Sequence, residues 1–356
     1  MKLLQILQTI WLFFTPYVNP FERRTEKFFR WVSSRRTPQE IHEKLLALMQ
    51  EDLLIFNIWL EKRFKNYRSL SKRRRRAMYR NAQKIAEAFE VFMKAHNVRV
   101  AALQQVLSPL GLRNADLHLD EIQCLAALAA YFDPRTRFHY QEQCAFGRLL
   151  VDPESERMTG DCNQIVTLYA WLFSRHFPLH DLQIKLIPGH VCLHYHGVDI
   201  EATNGTFQHY EKYDSISPIT ELVSTNLLDL NDPSEQAASI APETFEKAAQ
   251  LAYAISSKRE AVEHNLQVAY EKLCLAALKQ KNFTRAMFYA EKSRNPALKK
   301  ACYSEEFNML AKKVAHVGTI REAQSFQPVY RRMLNLAKNL GDQKNEHAIL
   351  GILNKM

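Results

Sequence analysis

The sequence predicts an α+β fold: a small antiparallel sheet packed on a helix that carries a cysteine, set between a helical N-terminal region and a helical-repeat-like C-terminal region. Three observations predict it. Apolar residues recur at helical spacing through most of residues 37–132. Short alternating segments then fill residues 182–203, punctuated by Pro188-Gly189 and His196-Gly197. Helical periodicity returns after residue 242 and runs to the end of the sequence. With 47% apolar residues, the chain can bury a core in one large or two to three modest domains.

Residues 1–36 form a basic, amphipathic segment. Leu3, Leu4, Leu7, Ile10, Trp11 and Phe14 share one helical stripe, and Pro16 and Pro20 stop the pattern. The stripe falls short of the ~17 apolar residues needed to span a bilayer. It fits a helix lying in a membrane interface, and equally one docked on the protein's own core. Thr15 to Pro20 offers no small-x-small cleavage site, which argues against a secretory signal. Net charge is +10, yet residues 1–86 hold 19 Lys/Arg against 7 Asp/Glu, and the remainder is nearly neutral. Lys72-Arg73-Arg74-Arg75-Arg76 is the densest cluster, supported by Arg23, Arg24, Lys27, Arg30, Arg35 and Arg36. Such a region attracts an anionic surface, but nothing beside it resembles a nucleic-acid-reading motif, so nucleic acid is not the expected partner. The run itself reads as a solvated helix face.

Residues 37–118 read as a helical domain. Thr37-Pro38-Gln39-Glu40 supplies an N-cap, a first-turn proline and an acid for the helix dipole. Ile41, Leu45, Leu48, Leu53, Leu54, Ile58 and Trp59 form the stripe that follows. A second helix over 71–95 buries Ile85, Ala88, Phe89, Phe92 and Met93 and turns its arginines outward, and two more are expected at 98–108 and 119–132. Residues 133–158 are polar and read as irregular.

Six cysteines, widely spaced and without a C-x-x-C pair, suggest neither a disulfide framework nor a zinc ribbon. Free thiols point to a reducing compartment, hence a cytoplasmic protein, with peripheral membrane contact through its N-terminal segment. His190, Cys192, His194 and His196 alternate along one segment, but side chains two apart on a strand stand ~6–7 Å from each other. That is too wide for one ion without help, so neither metal nor cofactor is expected. His176 and His180 read as surface residues, and Tyr169 and Trp171 as core.

Residues 119–230 carry the chemistry. Cys162 sits in Gly160-Asp161-Cys162-Asn163-Gln164, just before an apolar-periodic run that Phe177-Pro178 ends. A cysteine in the first turn of a helix meets the positive end of the dipole and unpaired N–H groups, which favour an anionic sulfur and can cradle an oxyanion. His190 opens a strand, and Glu201 lies on its hairpin partner. With His196-Gly197 as a two-residue loop, Cys192 faces Glu201 and His190 lies diagonal to it on the same face, so the carboxylate reaches the imidazole. Cys162, His190 and Glu201 thus outline nucleophile, base and orienter. Asp199, two residues back on the same face, is the reserve third member.

Gly160-Asp161-Cys162, then Pro188-Gly189-His190-Val191, then Ile200-Glu201-Ala202-Thr203-Asn204-Gly205 resembles the core of the transglutaminase-like superfamily over residues 120–225. The resemblance implies a papain-type Cys-His-Asp triad in that order, with Cys162 matching the nucleophile, His190 the base and Glu201 the third member. The sequence departs from the pattern at Glu201, where the family usually has Asp, and at Cys192, where it has a tryptophan. Residues 242–356, beyond a polar linker at Asn231–Ala241, form a second helical domain. There Val268 to Ala286 resembles one tetratricopeptide repeat, with Tyr270, Leu273, Phe283 and Ala286 at packing positions; Cys274 and Ala277 depart from it. Asn295-Pro296 closes that unit, and helices at 298–316, 318–340 and 343–354 follow.

The expected function is a cysteine hydrolase or acyltransferase acting on an amide or peptide bond of a protein or peptide through an acyl-thioester on Cys162. Peptidase or deamidase chemistry is preferred to crosslinking, because the resemblance does not extend to the accessory β-domains of the crosslinking enzymes. The alternative is an inactive transglutaminase-like scaffold that binds protein partners, through its C-terminal helices, at a membrane surface.

Overall fold

The computed structural model describes residues 12–32, 36–65, 67–96, 100–110, 118–142, 145–212, 215–228 and 242–356. The stripe from Leu3 to Trp11, Arg35, Cys144 and the linker at 231–241 lie outside the described residues. The chain divides into two compact units, one reaching residue 240 and taking in 247–259, the other made of 241–246 and 260–356. The helices of 37–118 and the sheet region, read from the sequence as successive domains, therefore belong to one unit.

In the first unit, α1 (Pro20–Trp31) opens where the sequence pattern stops: Pro20 is its first residue, and Asn19 caps it by accepting from Glu22 N at 3.0 Å. A proline that ends one periodic run is well suited to begin another, since its missing N–H is unpaired there in any case. α2 (Pro38–Leu60) has the expected start, with a reciprocal capping box between Thr37 and Glu40. It is broken at Asp52 (φ −163°), whose side chain accepts from Ile55 N at 2.9 Å and restarts the helix; burial raises the Asp52 carboxyl to about 6. α3 (Lys72–Ala95) follows a serine cap at Ser71. α4 (Val100–Leu107) and α5 (Leu119–Tyr131) come next, and α3 and α5 pack together.

Two three-residue strands, β1 (Phe138–Tyr140) and β2 (Met158–Gly160), pair in parallel, with Tyr140 opposite Gly160. β1 and the first residue of β2 lie in the stretch read as irregular. Strands this short show no alternation, and a parallel pairing leaves no local turn signal. α6 (Cys162–Ser174) follows at once and packs against α2 and the sheet, and its Leu168, Tyr169, Leu172 and Phe173 are fully buried. Trp171 is also buried, as expected for a core position.

The main sheet comprises β3 (Gln183–Ile187), β4 (His190–Tyr195), β5 (Val198–Glu201), β6 (Thr206–Gln208) and β7 (Ile216–Pro218), antiparallel in the order β6-β5-β4-β3-β7. His196 (φ 45°) and Gly197 (φ 91°) both take the left-handed conformation, so a two-residue loop joins β4 to β5 as the sequence predicts. The strand expected to reach residue 203 ends at Glu201, and a turn carries the chain into β6. Gly205 makes that turn possible: its φ is +69°, and an added Cβ would lie 2.6 Å from Ala129 O on α5. α7 (Glu221–Leu228) and α8 (Pro242–Ile255) follow.

The second unit is helical: α9 (Arg259–Lys279), α10 (Phe283–Lys292), α11 (Pro296–Val314), α12 (Ile320–Ser325), α13 (Gln327–Leu340) and α14 (Gln343–Leu353). Tyr270, Leu273, Cys274, Ala277 and Ala286 share one buried cluster with Cys302, while Phe283 is half-buried. Asn295 caps α11 by accepting from Ala297 N at 3.0 Å, which explains the break before it. The helix expected over 318–340 is two helices that part at Phe326. Pro328 can stand in a first turn but not in a helix interior.

The arginine run corrects a further expectation. Arg73, Arg74 and Arg76 are exposed, but Arg75 is 1% exposed. Its Nε donates to Glu22 Oε1 at 2.8 Å, and its guanidinium also donates to Leu70 O and Pro16 O, each at 2.7 Å, and lies 5.0 Å from the Trp59 ring centroid. Glu22, itself fully buried, further accepts from the Tyr79 hydroxyl at 2.6 Å and from Val18 N at 2.6 Å. A buried ion pair is costly to halve, because the remaining charge stays in the core without its partner. Arg75→Ala is therefore expected to destabilise the protein by about 3–5 kcal/mol in urea unfolding. Glu22→Gln combined with Arg75→Met should cost less than Arg75→Ala alone; equal or greater loss would show that the pair does not act as a unit.

Candidate functional site

Cys162 is the first residue of α6 because Asp161 ends β2 in an extended conformation and caps the helix, accepting from Gln164 N at 3.0 Å. The first intrahelical bond runs from Ile165 N to Asp161 O at 3.0 Å, so the N–H groups of Cys162 and Asn163 precede the helical ladder. Gly160 permits this tight entry: a Cβ there would come to 3.0 Å from the Leu149 side chain. Cys162 keeps 8% of its surface exposed, the most of the five described thiols; Cys124, Cys192, Cys274 and Cys302 are at 1% or less. Burial pushes the Cys124 and Cys302 thiols up to about 12 and raises those of Cys192 and Cys274 as well.

His190 begins β4 immediately after Gly189, whose φ of +73° turns the chain out of β3. Its Nε2 lies 2.6 Å from Glu201 Oε2. The ring is also hydrogen-bonded with Cys162, for which Nδ1 is the remaining ring nitrogen. These bonds, first that with Cys162 and then that with Glu201, push the imidazole up to about 10 against the cost of burial. At neutral pH the ring therefore carries both protons. The three residues singled out in the sequence are thus brought together, in the order sulfur, imidazole, carboxylate.

Glu201 is held from several sides. Its Oε1 accepts from the Thr203 hydroxyl at 2.6 Å and from Thr203 N at 3.3 Å, and its Oε2 accepts from the Tyr210 hydroxyl at 3.0 Å. Burial opposes its charge, but the bonds from His190, Thr203 and Tyr210 outweigh that cost and keep the carboxyl below the usual range. Burial raises the Tyr210 hydroxyl, and the Glu201 charge raises it further, so it remains a donor.

Asp199, the reserve third member, is engaged elsewhere. Its Oδ1 lies 2.6 Å from His194 Nδ1, and its Oδ2 accepts from Lys185 Nζ at 2.7 Å and from Tyr210 N at 2.7 Å. His194 Nε2 accepts from Gly197 N at 3.3 Å, so that ring is bonded at both nitrogens. Burial disfavours the Asp199 charge, yet His194 and Lys185 together hold its carboxyl below the usual range. The cluster locks the β4–β5 turn and fixes the backbone of Tyr210, which in turn steadies Glu201. Among the described residues, no group of three His, Cys, Asp or Glu side chains is arranged to hold a metal ion.

Tyr140, Thr203, Tyr210 and Lys185 were not singled out in the sequence. Thr203 stands two residues after Glu201, the one signal that could have found it. Tyr140 reaches the site through the β1–β2 pairing opposite Gly160; burial and then the Cys162 charge raise its hydroxyl. No family model matches the sequence, and no curated protein or solved structure matches it.

The raised His190 value has a signed consequence for stability. Between about 6.5 and 10 the folded ring holds a proton that the unfolded ring has released, so the stabilisation is complete below about 6.5 and is lost as pH rises through about 10. Urea midpoints measured across that window should fall with pH for the wild type and fall less for His190→Gln. Parallel profiles would mean that His190 is not held as a cation.

Proposed function

We propose that the protein is a papain-like thiol hydrolase of transglutaminase-like type, acting on an amide or peptide bond. The observation that carries the reading is the His190 ring, bonded to Cys162 on one side and, at 2.6 Å, to Glu201 on the other. In the reaction the Cys162 sulfur attacks the substrate carbonyl, forming an S–C bond. The oxyanion is stabilised by the Cys162 backbone N–H at the start of α6. The His190 cation gives its proton to the leaving nitrogen as the C–N bond breaks, which leaves an acyl-thioester and a neutral imidazole. Water then loses a proton to His190, attacks the thioester and releases the acid and the thiolate. Glu201, fixed by Thr203 and Tyr210, orients the ring and stabilises its cationic form.

Water as the second nucleophile gives a peptidase or a deamidase, the latter converting a glutamine or asparagine amide to an acid. Support for thiol chemistry rather than a purely structural cysteine comes from the contrast among the thiols: Cys162 retains the most surface of those described and is the one bonded to an imidazole.

Iodoacetamide at neutral pH should label Cys162 well ahead of the other five cysteines, and His190→Ala should slow that labelling. On a peptide-amide pool read by mass spectrometry, His190→Ala should lose about 10²–10⁴ in rate and Cys162→Ala should lose all turnover. Labelling of Cys162 no faster than of the remaining thiols, with no mass change in any peptide, would reject the enzymatic reading.

A further inference from the structure

In the block formed by α1 and the first turns of α3, charge is sorted by depth. Its acids Glu22 and Glu26 are 0% and 5% exposed; Arg75 and Tyr79 engage the first, and Trp59 Nε1, at 3.1 Å, and Arg30 engage the second. Apart from Arg75, its arginines face outward: Arg73, Arg74, Arg76 and Arg80 are exposed on the first turns of α3. The same helix start fastens the chain that precedes α1. Lys72 Nζ donates to Thr15 O at 2.6 Å and to Leu12 O, and Arg75 holds Pro16 O. Held in this way by its backbone, the segment leaves Phe13 and Phe14 74% and 81% exposed, next to a lysine that immediately precedes the exposed arginines. Large apolar side chains beside a one-signed charge cluster mark an interaction surface.

We propose that Phe13 and Phe14, with Arg73, Arg74 and Arg76, form a docking surface for an anionic lipid bilayer. The rings enter the boundary between headgroups and acyl chains while the guanidiniums pair with lipid phosphates and carboxylates. Charge selects an anionic partner, and ring geometry selects lipid over nucleic acid. The two rings meet edge to face, with an interplanar angle of 84° and centroids 5.3 Å apart. Successive stacked bases need ring faces, and this pair cannot offer two in parallel. A bilayer accepts apolar area whatever its orientation.

The test uses the full chain in sedimentation with phosphatidylcholine vesicles, with and without phosphatidylserine, at low and high salt, and in parallel with single-stranded RNA. Wild type should bind only the vesicles containing phosphatidylserine and should be released by salt. Arg73→Gln/Arg74→Gln/Arg76→Gln should weaken binding roughly fivefold per arginine, about 100-fold in all. Phe13→Ser/Phe14→Ser should weaken it about tenfold or more while leaving the salt dependence in place. All five positions are exposed, so both variants should keep the wild-type urea midpoint, which separates lost binding from lost folding. Binding that ignores phosphatidylserine, either variant binding as well as wild type, or capture by RNA in place of vesicles would each overturn the proposal.

Discussion

The site depends on the carboxylate of Glu201 remaining charged inside the protein. An isolated carboxylate in such a place would be protonated or would draw in water, so everything around it serves to supply donors: His190 Nε2, the Thr203 hydroxyl and the Tyr210 hydroxyl. Thr203 comes from the turn directly after β5, which Gly205 allows to double back against α5, and Tyr210 from the chain beyond β6. The same carboxylate fixes the plane and the charge of the His190 ring, and through the ring it reaches the sulfur at the start of α6. Loss of the anion would loosen the imidazole from both sides.

A second buried carboxylate performs a separate task within the same sheet. Asp199 gathers Lys185, His194 and the Tyr210 backbone, joining β3, β5 and the residues after β6. It holds the scaffold that presents Tyr210, and its hydrogen bonds go to Lys185, His194 and the Tyr210 backbone. The N-terminal region uses the same economy: Glu22 ties α1 to α3 through Arg75, which frees the neighbouring arginines to face solvent. In both cases one buried ion pair, satisfied by further hydrogen bonds, positions exposed or half-exposed groups beside it.

The parts of this arrangement legible in the sequence were those written locally. Cys162 at a helix start follows from Asp161 and the apolar run behind it, and the diagonal relation of His190 to Glu201 follows from the two-residue turn at His196-Gly197. The capping box at Thr37 was readable for the same reason. Partners distant in sequence were not. Arg75 reads as one of five bases on a solvated face, and nothing near it announces Glu22, fifty-three residues earlier. Tyr210 reaches Glu201 only after β6 has paired with β5, and Tyr140 comes near Cys162 only through a parallel pairing of three-residue strands. Side-chain periodicity gives the face of an element, whereas tertiary register decides which faces meet.

The length of the Glu201 side chain has a geometric reason in this hairpin. Its register sets His194 directly opposite Asp199, and there the short side chain meets the near ring nitrogen, Nδ1, at 2.6 Å. Continued two residues outward, the same register puts Cys192, not His190, opposite Glu201, so His190 stands on the diagonal. Diagonal neighbours on a sheet are ~7–8 Å apart rather than ~5 Å. The extra methylene of glutamate spans that difference and meets the far ring nitrogen, Nε2, also at 2.6 Å. An aspartate at 201 would fall short of His190 unless the hairpin shifted its register by two residues, and that shift would move His194 out from opposite Asp199. Acid length and strand register are thus matched twice between His190 and Glu201, once for His194 and once for His190. The match also leaves Nδ1 of His190 free to face the sulfur.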